Sequence, residues 1–315
     1  MGKFFYSALK QVYVRLFLGI DIGATWTRAL LIDEHGDIIN RVKVKTSVNP
    51  IADVVDIVKR WQFHAVGVGS IGPLDLKSGW VVNSPNSPTR RFPLVEPLKE
   101  LGKPIVVAND CVAAVWGEYV FKYNVENMVY ITLSTGVGVG AIVNGNLLLG
   151  KDGNAHELGH AVIDFKSARR CGCGGRGHFE AYVGGAHIPR VYQEATGDAP
   201  ASPEEIFRRY RHGDEKARKF INLWLDALAA GIATVVAAYD PELLIVGGSI
   251  ALNNWDIISR ELPARLRDYL SLREPEILKA SFGDDEVAVG AAALAYKTPD
   301  TLKKFGYPIT ASSQS

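Results

Sequence analysis

Cysteine is scarce in this chain: three residues in 315, two of them in the C-x-C pair Cys171 and Cys173. An odd, clustered count excludes a disulfide framework, points to metal binding and predicts a reducing, cytoplasmic compartment. Charge of one sign is missing too. With 35 basic against 34 acidic residues, no overall field draws nucleic acid or a membrane surface, so any anion site is local and the expected partner is a small molecule. Long apolar runs are also absent. The longest, Ala227 to Ala238, carries Gly231 and Thr234, falls short of the roughly 18–20 residues that span a bilayer, and reads as a buried helix. Met1-Gly2-Lys3-Phe4-Phe5-Tyr6 has neither an apolar h-region nor a cleavage site, so no secretion signal is expected. The P-loop pattern G-x-x-x-x-G-K-[ST] occurs nowhere, which removes the commonest phosphate binder. Gly67-Val68-Gly69-Ser70-Ile71-Gly72 fits G-x-G-x-x-G, but Pro73 follows where the dinucleotide fingerprint needs a helix.

What is present suggests duplication. The length predicts two lobes. Short β-branched runs at Arg15 to Asp21, Thr27 to Asp33 and Ile38 to Lys45 form one meander. Asn127 to Leu133 and Val137 to Val143, turning through Asn144-Gly145-Asn146 into Leu147-Leu148-Leu149, form a second. Helical periodicity marks Ile51 to Trp61, Cys111 to Phe121, Pro203 to Tyr210, Glu215 to Tyr239, Trp255 to Leu270 and Val287 to Tyr296. The class is α/β. Leu243 to Val246 reads as a buried strand leading into Gly247-Gly248-Ser249, a candidate phosphate or nucleotide turn before a helix. Val82 to Pro93 reads as a long surface loop, and the tail after Lys297 as a fraying end.

Each meander carries a donor-rich junction. In Asp21-Ile22-Gly23-Ala24-Thr25-Trp26-Thr27-Arg28, Gly23 admits a phosphate chain to the backbone, Thr25 and Thr27 offer hydroxyls, Arg28 adds charge, and Asp21 can hold Mg²⁺ through water. Ser134, Thr135, Gly136 and Gly138 occupy the matching junction of the second copy. Two such turns can clamp one triphosphate; read singly, each is an ordinary hairpin. Asp110 follows the buried run Ile105 to Ala108 at a strand-to-helix junction. There it is either a helix N-cap or a carboxylate facing a cleft.

Residues Ala155 to Glu180 support two zinc readings. His156-Glu157-Leu158-Gly159-His160 is H-E-x-x-H, with Glu180 available as a third ligand and Glu157 as base of a metalloprotease. Alternatively, Cys171-Gly172-Cys173-Gly174-Gly175-Arg176-Gly177-His178 is a glycine-rich knuckle for a structural zinc. That glycine-rich stretch breaks any helix between the protease ligands and leaves two thiols unused. The protease also gives Asp21 to Arg28, Asn109-Asp110, Ser134 to Gly138 and Gly247-Gly248 no task.

The ordered set of motifs resembles the ROK family of sugar kinases and sugar-responsive regulators, from about Leu16 to Lys297. Asp21 to Arg28 is similar to its first phosphate motif, Leu133 to Gly138 to its second, Leu244 to Ser249 to its adenosine turn, and Asn109-Asp110 to its catalytic element. Glu157-Leu158-Gly159-His160 and Cys171 to Glu180 resemble its two-part signature. The resemblance implies a two-lobed, duplicated ribonuclease H-like fold of the actin and hexokinase type, with the cleft between the lobes. It implies a cytoplasmic, homodimeric kinase that uses ATP and Mg²⁺ to phosphorylate a hexose, glucose first, at the C6 hydroxyl. Asp110 would be general base; Gly72, Asn86, Asn109, Glu157, His160 and Glu180 would meet the sugar. Asp21, Gly23, Ala24, Thr25, Thr27, Arg28, Ser134, Thr135, Gly136, Gly138, Gly247, Gly248 and Ser249 would meet the nucleotide.

By the same resemblance His160, Cys171, Cys173 and His178 form the structural zinc site, with His178 standing where the family usually has a third cysteine. Imidazole closes a tetrahedral site equally well. His156, His187 and His212 are expected to be ordinary surface or capping residues, and Cys111 a small buried one. The expected lobes are 1–122, with 298–315 packing back on it, and a larger 123–297 that holds the knuckle. Family regulators carry a helix-turn-helix domain; some fifteen residues before the first strand are too few for one, so DNA binding is not expected.

Overall fold

A computed structural model describes residues 14–84 and 87–310. The first half is built on β1 (Leu16–Ile22), β2 (Trp26–Asp33) and β3 (Ile38–Lys45), followed by α1 (Pro50–Val58) and β4 (Ala65–Ser70). Short strands β5 (Leu74–Asp75), β6 (Trp80–Val81) and β7 (Phe92–Pro93) pair as a small antiparallel sheet before β8 (Ile105–Asn109) and α2 (Asp110–Glu118). The main sheet has the order β3-β2-β1-β4-β8; β1 runs antiparallel to β2 and parallel to β4. β1 and β4 are buried almost throughout, as suits the centre of a sheet covered on both faces. β3 alternates half-buried Val42 and Val44 with exposed Arg41, Lys43 and Lys45, so charge guards the open edge.

The second half repeats the plan. β9 (Met128–Leu133), β10 (Val137–Val143) and β11 (Asn146–Leu147) form the meander, and α3 (Glu180–Val183), α4 (Ile188–Thr196), α5 (Pro203–Arg211) and α6 (Glu215–Tyr239) follow. Then come β12 (Leu243–Gly247), α7 (Ser249–Asn253), α8 (Trp255–Leu266), β13 (Glu276–Lys279), α9 (Glu286–Tyr296) and α10 (Asp300–Lys303). The order β11-β10-β9-β12-β13 matches the first sheet strand for strand, with the same antiparallel trio and parallel pair. Helix α6 begins where Asp214 Oδ1 accepts from Ala217 N (2.8 Å) and ends at Asp240, whose φ of 44° is left-handed. By length and composition α6 could cross a membrane. Its Phe220, Trp224, Leu228 and Ile232 are instead fully buried in the core of this half.

The Gly67-x-Gly69 run is a central strand: a Cβ on Gly67 would sit 1.8 Å from Ala291 O, so the glycine lets α9 lie directly on the sheet. Helix α9 accordingly covers the first sheet, its Ala288, Val289 and Ala292 packed with Phe17, Leu30 and Ile32, although its position in the sequence lies inside the expected second lobe. The segment after Lys297, read as a fraying end but also expected to pack back on the first lobe, is folded against that lobe as far as 310. Ile309 exchanges two backbone bonds of 2.9 Å with Ile105, and Tyr307 donates to Leu76 O at 2.9 Å; residues 311–315 lie outside the described residues.

Candidate functional site

Both hairpins sit at strand ends, and in each the backbone carries the shape. Register sets Asp21 opposite Arg28, and Arg28 Nη1 donates to Asp21 Oδ2 at 2.9 Å, so the guanidinium is engaged with this carboxylate. Asp21 is 5% exposed. Burial lifts its pKa to about 7; Arg28 opposes that shift and the charges of Asp110 and Asp285 add to it. Gly23 and Ala24 are half-buried and Thr25 is exposed, while Thr27 is sealed. Its hydroxyl lies 3.0 Å from Thr46 Oγ1. Thr46, which no motif flagged, then donates through Oγ1 to Gly23 O (2.8 Å) and through its backbone N to Thr25 O (2.9 Å), locking the turn.

In the second hairpin Ser134 is half-buried and Thr135 exposed. Glu180 Oε2 accepts from Val137 N at 3.0 Å, and a Cβ on Gly136 would fall 2.4 Å from the same oxygen. Glu180, expected beside the sugar, therefore also rests on this turn. Gly138 faces α2: a Cβ there would meet Cys111 Sγ at 2.5 Å, so the glycine lets the helix approach. Cys111 is buried, as expected. Gly247-Gly248 ends β12 beside β9; Gly248 has φ +85°, and a Cβ on it would lie 2.4 Å from Leu133 O. Ser249 opens α7.

At the start of α2 the N-cap is Asn109, not Asp110. Asn109 Oδ1 accepts from Cys111 N at 2.9 Å, and Asp110 Oδ1 accepts from the same N–H at 2.8 Å. With the cap supplied by its neighbour, Asp110 is partly exposed. Burial lifts its pKa to about 6; the Cys111 hydrogen bonds oppose this and Glu157 adds to it. A Cβ on Gly72 would lie 3.3 Å from Asn109 Nδ2 and 3.8 Å from Glu157 Oε1. Gly72, Asn109, Asp110 and Glu157 thus converge at the head of α2. Asn86 lies outside the described residues.

Asn154 also belongs here and was missed. Its Oδ1 accepts from Leu74 N (3.1 Å) and its Nδ2 donates to Leu74 O (2.9 Å), as an extra strand would. Next to it, Ala155 O accepts from Tyr239 Oη at 3.0 Å. The loop carrying Glu157 is therefore tied to the Gly72 loop on one side and to α6 on the other. In sequence Asn154 looks like any turn asparagine.

The H-E-x-x-H reading fails on geometry. Leu158–His160 is one short 3₁₀ turn, so no α-helix sets His156 and His160 on one face. His156 is not a surface residue: it is 2% exposed, with Nε2 3.0 Å from Gly153 O. His212 is a cap as expected, its Nδ1 2.8 Å from Arg208 O. His187 lies half-buried with Nε2 4.0 Å from Glu180 Oε1. The knuckle residues do gather. One ligand atom from each of His160, Cys171, Cys173 and His178 lies within 4.8 Å of the others. Cys171 Sγ is 3.6 Å from His160 Nδ1, and Cys173 Sγ 3.3 Å from His178 Nδ1. Ligands bound to zinc at about 2.0–2.3 Å are separated by similar distances, so the set fits that ion. His160 Nε2 is also 3.6 Å from Glu157 Oε2, and Cys171 Sγ donates to Glu180 Oε1 at 3.1 Å. The cluster abuts both carboxylates.

Matching duplicated sheets, each presenting a donor-rich hairpin, define a two-lobed α/β protein of the actin and hexokinase type. Residues 17–298 match the ROK family, and the chain belongs to that family. It is 74% identical over 292 residues to a glucokinase of Pyrobaculum calidifontis, a match covering 93% of this chain and 99% of that one. The solved ROK hexokinase of Thermus thermophilus is similar with a TM-score of 0.78 at 30% identity, covering 89% of this chain and 98% of that one. A ROK family glucokinase from Streptomyces griseus, solved with glucose and AMPPNP, gives 0.77 at 29% identity, covering 89% and 99%.

Proposed function

We propose that this chain is a cytoplasmic glucokinase that transfers the γ-phosphoryl group of ATP to the C6 hydroxyl of glucose. The observation that carries the reading is the convergence of Gly72, Asn109, Asp110 and Glu157 at the head of α2, in a protein whose relatives include the glucokinases above. Phosphoryl transfer asks mainly for positioning and charge neutralisation. Asp110 takes the proton of the attacking hydroxyl. Asn109, Glu157, His160 and Glu180 meet the other hydroxyls, since amides and carboxylates bridge neighbouring oxygens well. Gly72 contributes backbone. The exposed Thr25 and Thr135, the half-buried Ser134, and the Gly247–Ser249 turn receive the nucleotide. Asp21 would hold Mg²⁺, which would supply charge neutralisation for the phosphates, and His160, Cys171, Cys173 and His178 would hold a zinc that would stiffen the knuckle. The lobes we infer are 14–122 together with the returning segment 286–310, and the intervening 123–285; two copies form a dimer. A coupled kinase assay with ATP and a hexose panel, run beside a casein digest, tests the reading: turnover of casein and of no hexose would overturn it.

Two further outcomes follow from the site. In the free enzyme Asp110 and Asp21 titrate near 6 and 7, and both act ionised. The kcat/KM profile for glucose should therefore fall as pH drops through about 7 to 6. Stability has the opposite sign. These carboxyls hold protons that the unfolded chain releases near 3.8, so their contribution declines as pH rises from there through about 7, which thermal melts across pH can follow. Asn154→Ala removes two hydrogen bonds, each contributing about 1 kcal/mol, from the Gly72 and Glu157 loops. Glucose KM should rise roughly tenfold while KM for ATP stays put, as steady-state kinetics with each substrate varied will show.

A further inference from the structure

The chain crosses between the two sheets twice, and both crossings lie against each other. It leaves the first through the wide turn Tyr119–Tyr123 after α2, and returns through residues 280–285 between β13 and α9. A single turn of π-helix, as at Tyr119–Tyr123, often marks a functional site. Ser281, on the return, donates from its backbone N to Glu118 Oε1 (2.7 Å) and from Oγ to Glu118 Oε2 (2.8 Å). Phe282 N donates to Glu286 Oε2 at 3.1 Å. The Phe282 ring meets Phe121 edge-on at 6.5 Å between centroids.

Two carboxyls occupy the centre of this contact. Glu118, at the end of α2, is fully buried, and Glu286, at the start of α9, is 3% exposed. They accept from consecutive residues, Glu118 from Ser281 and Glu286 from Phe282 N, which brings the two carboxyls together. Both oxygens of Glu118 accept from Ser281, as an ionised carboxylate does. Glu286 Oε1 is buried and meets no donor among the described residues. As a bare carboxylate oxygen it would be an orphan beside a second negative charge, a costly state. As a hydroxyl donating to Glu118 it is satisfied, and every buried oxygen of the pair has a partner.

We propose that Glu118 and Glu286 share one proton, carried on Glu286 and donated to Glu118, and that this pair latches the two crossings and positions α2 from the end opposite Asp110. The neighbouring charges agree with that assignment. Burial pushes Glu286 well above the usual carboxylate range and Glu118's charge adds to it; burial also raises Glu118, with the Ser281 bonds opposing. Lys122, on the wide turn, is the cation facing both, its Nζ 5.1 Å from the Phe282 ring centroid. The Tyr123 hydroxyl stands 3.5 Å from Ser281 Oγ, and Tyr130 faces Glu286 from β9. Loss of the shared proton brings two charges together and loosens both crossings, so the pair's contribution is full below the unfolded carboxyl value of 4.5 and is lost as pH rises from there through the pair's raised range. Its effect on turnover rests on the reading of Asp110 as base; its effect on stability does not.

Glu286→Gln separates the possibilities, because an amide N–H can still donate to Glu118 but cannot titrate. We expect kcat at neutral pH within about twofold of the parent, any decline of kcat with rising pH to move upward or disappear, and a Tm that falls less than the parent's as pH rises above the unfolded carboxyl value of 4.5. Glu118→Gln, which loses the charged acceptor for two Ser281 donors, and Glu286→Ala should both lower Tm at neutral pH. Difference infrared spectra should show a protonated carboxyl in the parent that is missing in Glu286→Gln. The proposal is overturned if Glu286→Gln matches the parent in alkaline kcat and Tm, or destabilises as much as Glu286→Ala. A requirement of the parent's Tm for potassium over tetramethylammonium would put a cation between the carboxyls and overturn it as well. Since Tm reads the latch without catalysis, an active Asp110→Asn variant would defeat the base assignment and leave this test standing.

Discussion

Asp110→Asn should lower kcat by roughly 10²- to 10⁴-fold, the usual contribution of a general base, with glucose KM moving only a few-fold. The substitution is nearly isosteric, and the amide oxygen can go on accepting from Cys111 N, as Asp110 Oδ1 does at 2.8 Å. The start of α2 also keeps its cap, because Asn109 supplies it. Folding should survive or improve, for Asp110 is held against burial and the charge of Glu157 and those costs vanish with its charge. A second signature accompanies the first. Asp21 is raised partly by Asp110, so in the variant Asp21 should titrate lower, and the remaining activity should persist to more acidic pH. Steady-state kinetics across pH, with a thermal melt as the folding control, checks both. Near-normal turnover would remove Asp110 from the role of base.

Much of this site was legible because its cues are local. The hairpins were readable from β-branched runs broken at Gly23 and Gly136, and α6 was readable to the residue because Asp214 and Asp240 cap it. The C-x-C pair with His160 and His178 is a composition signal that survives folding. What escaped depends on contacts distant in sequence. Gly67 is a glycine because of Ala291, more than two hundred positions away; Pro73 is enough to set the phosphate-turn reading aside, but nothing local shows what the glycine is for. Thr27 looks like a hydroxyl donor until Thr46 is seen across the strands. His156 and His160 fit a helical spacing that the backbone does not adopt, since the segment holds only a 3₁₀ turn before Ala161 turns extended. Asn154 and the Glu118–Glu286 pair were invisible for the same reason: each joins segments that meet only when the two sheets are in place.

Loss of the proposed zinc is the other large effect, and it should reach beyond the knuckle. Metal binding to a site of this kind is coupled to folding, and removing it from one corner of a large lobe should cost on the order of several kcal/mol. At about 2–4 °C per kcal/mol for a protein of this size, Tm should fall on the order of 10 °C. Cys173→Ser is the cleaner variant, since Cys173 is exposed and touches His178, whereas Cys171 is buried and hydrogen-bonds Glu180. Cys173→Ser and Cys171→Ser should both lose the roughly one zinc per chain expected for a single four-ligand site. His178→Cys should retain the metal, because a thiolate is as competent a fourth ligand as imidazole, and His178→Ala should not. Metal analysis of the four variants beside their melts decides the matter: a folded, fully active, zinc-free parent would show that the cluster closes through its own hydrogen bonds and needs no ion.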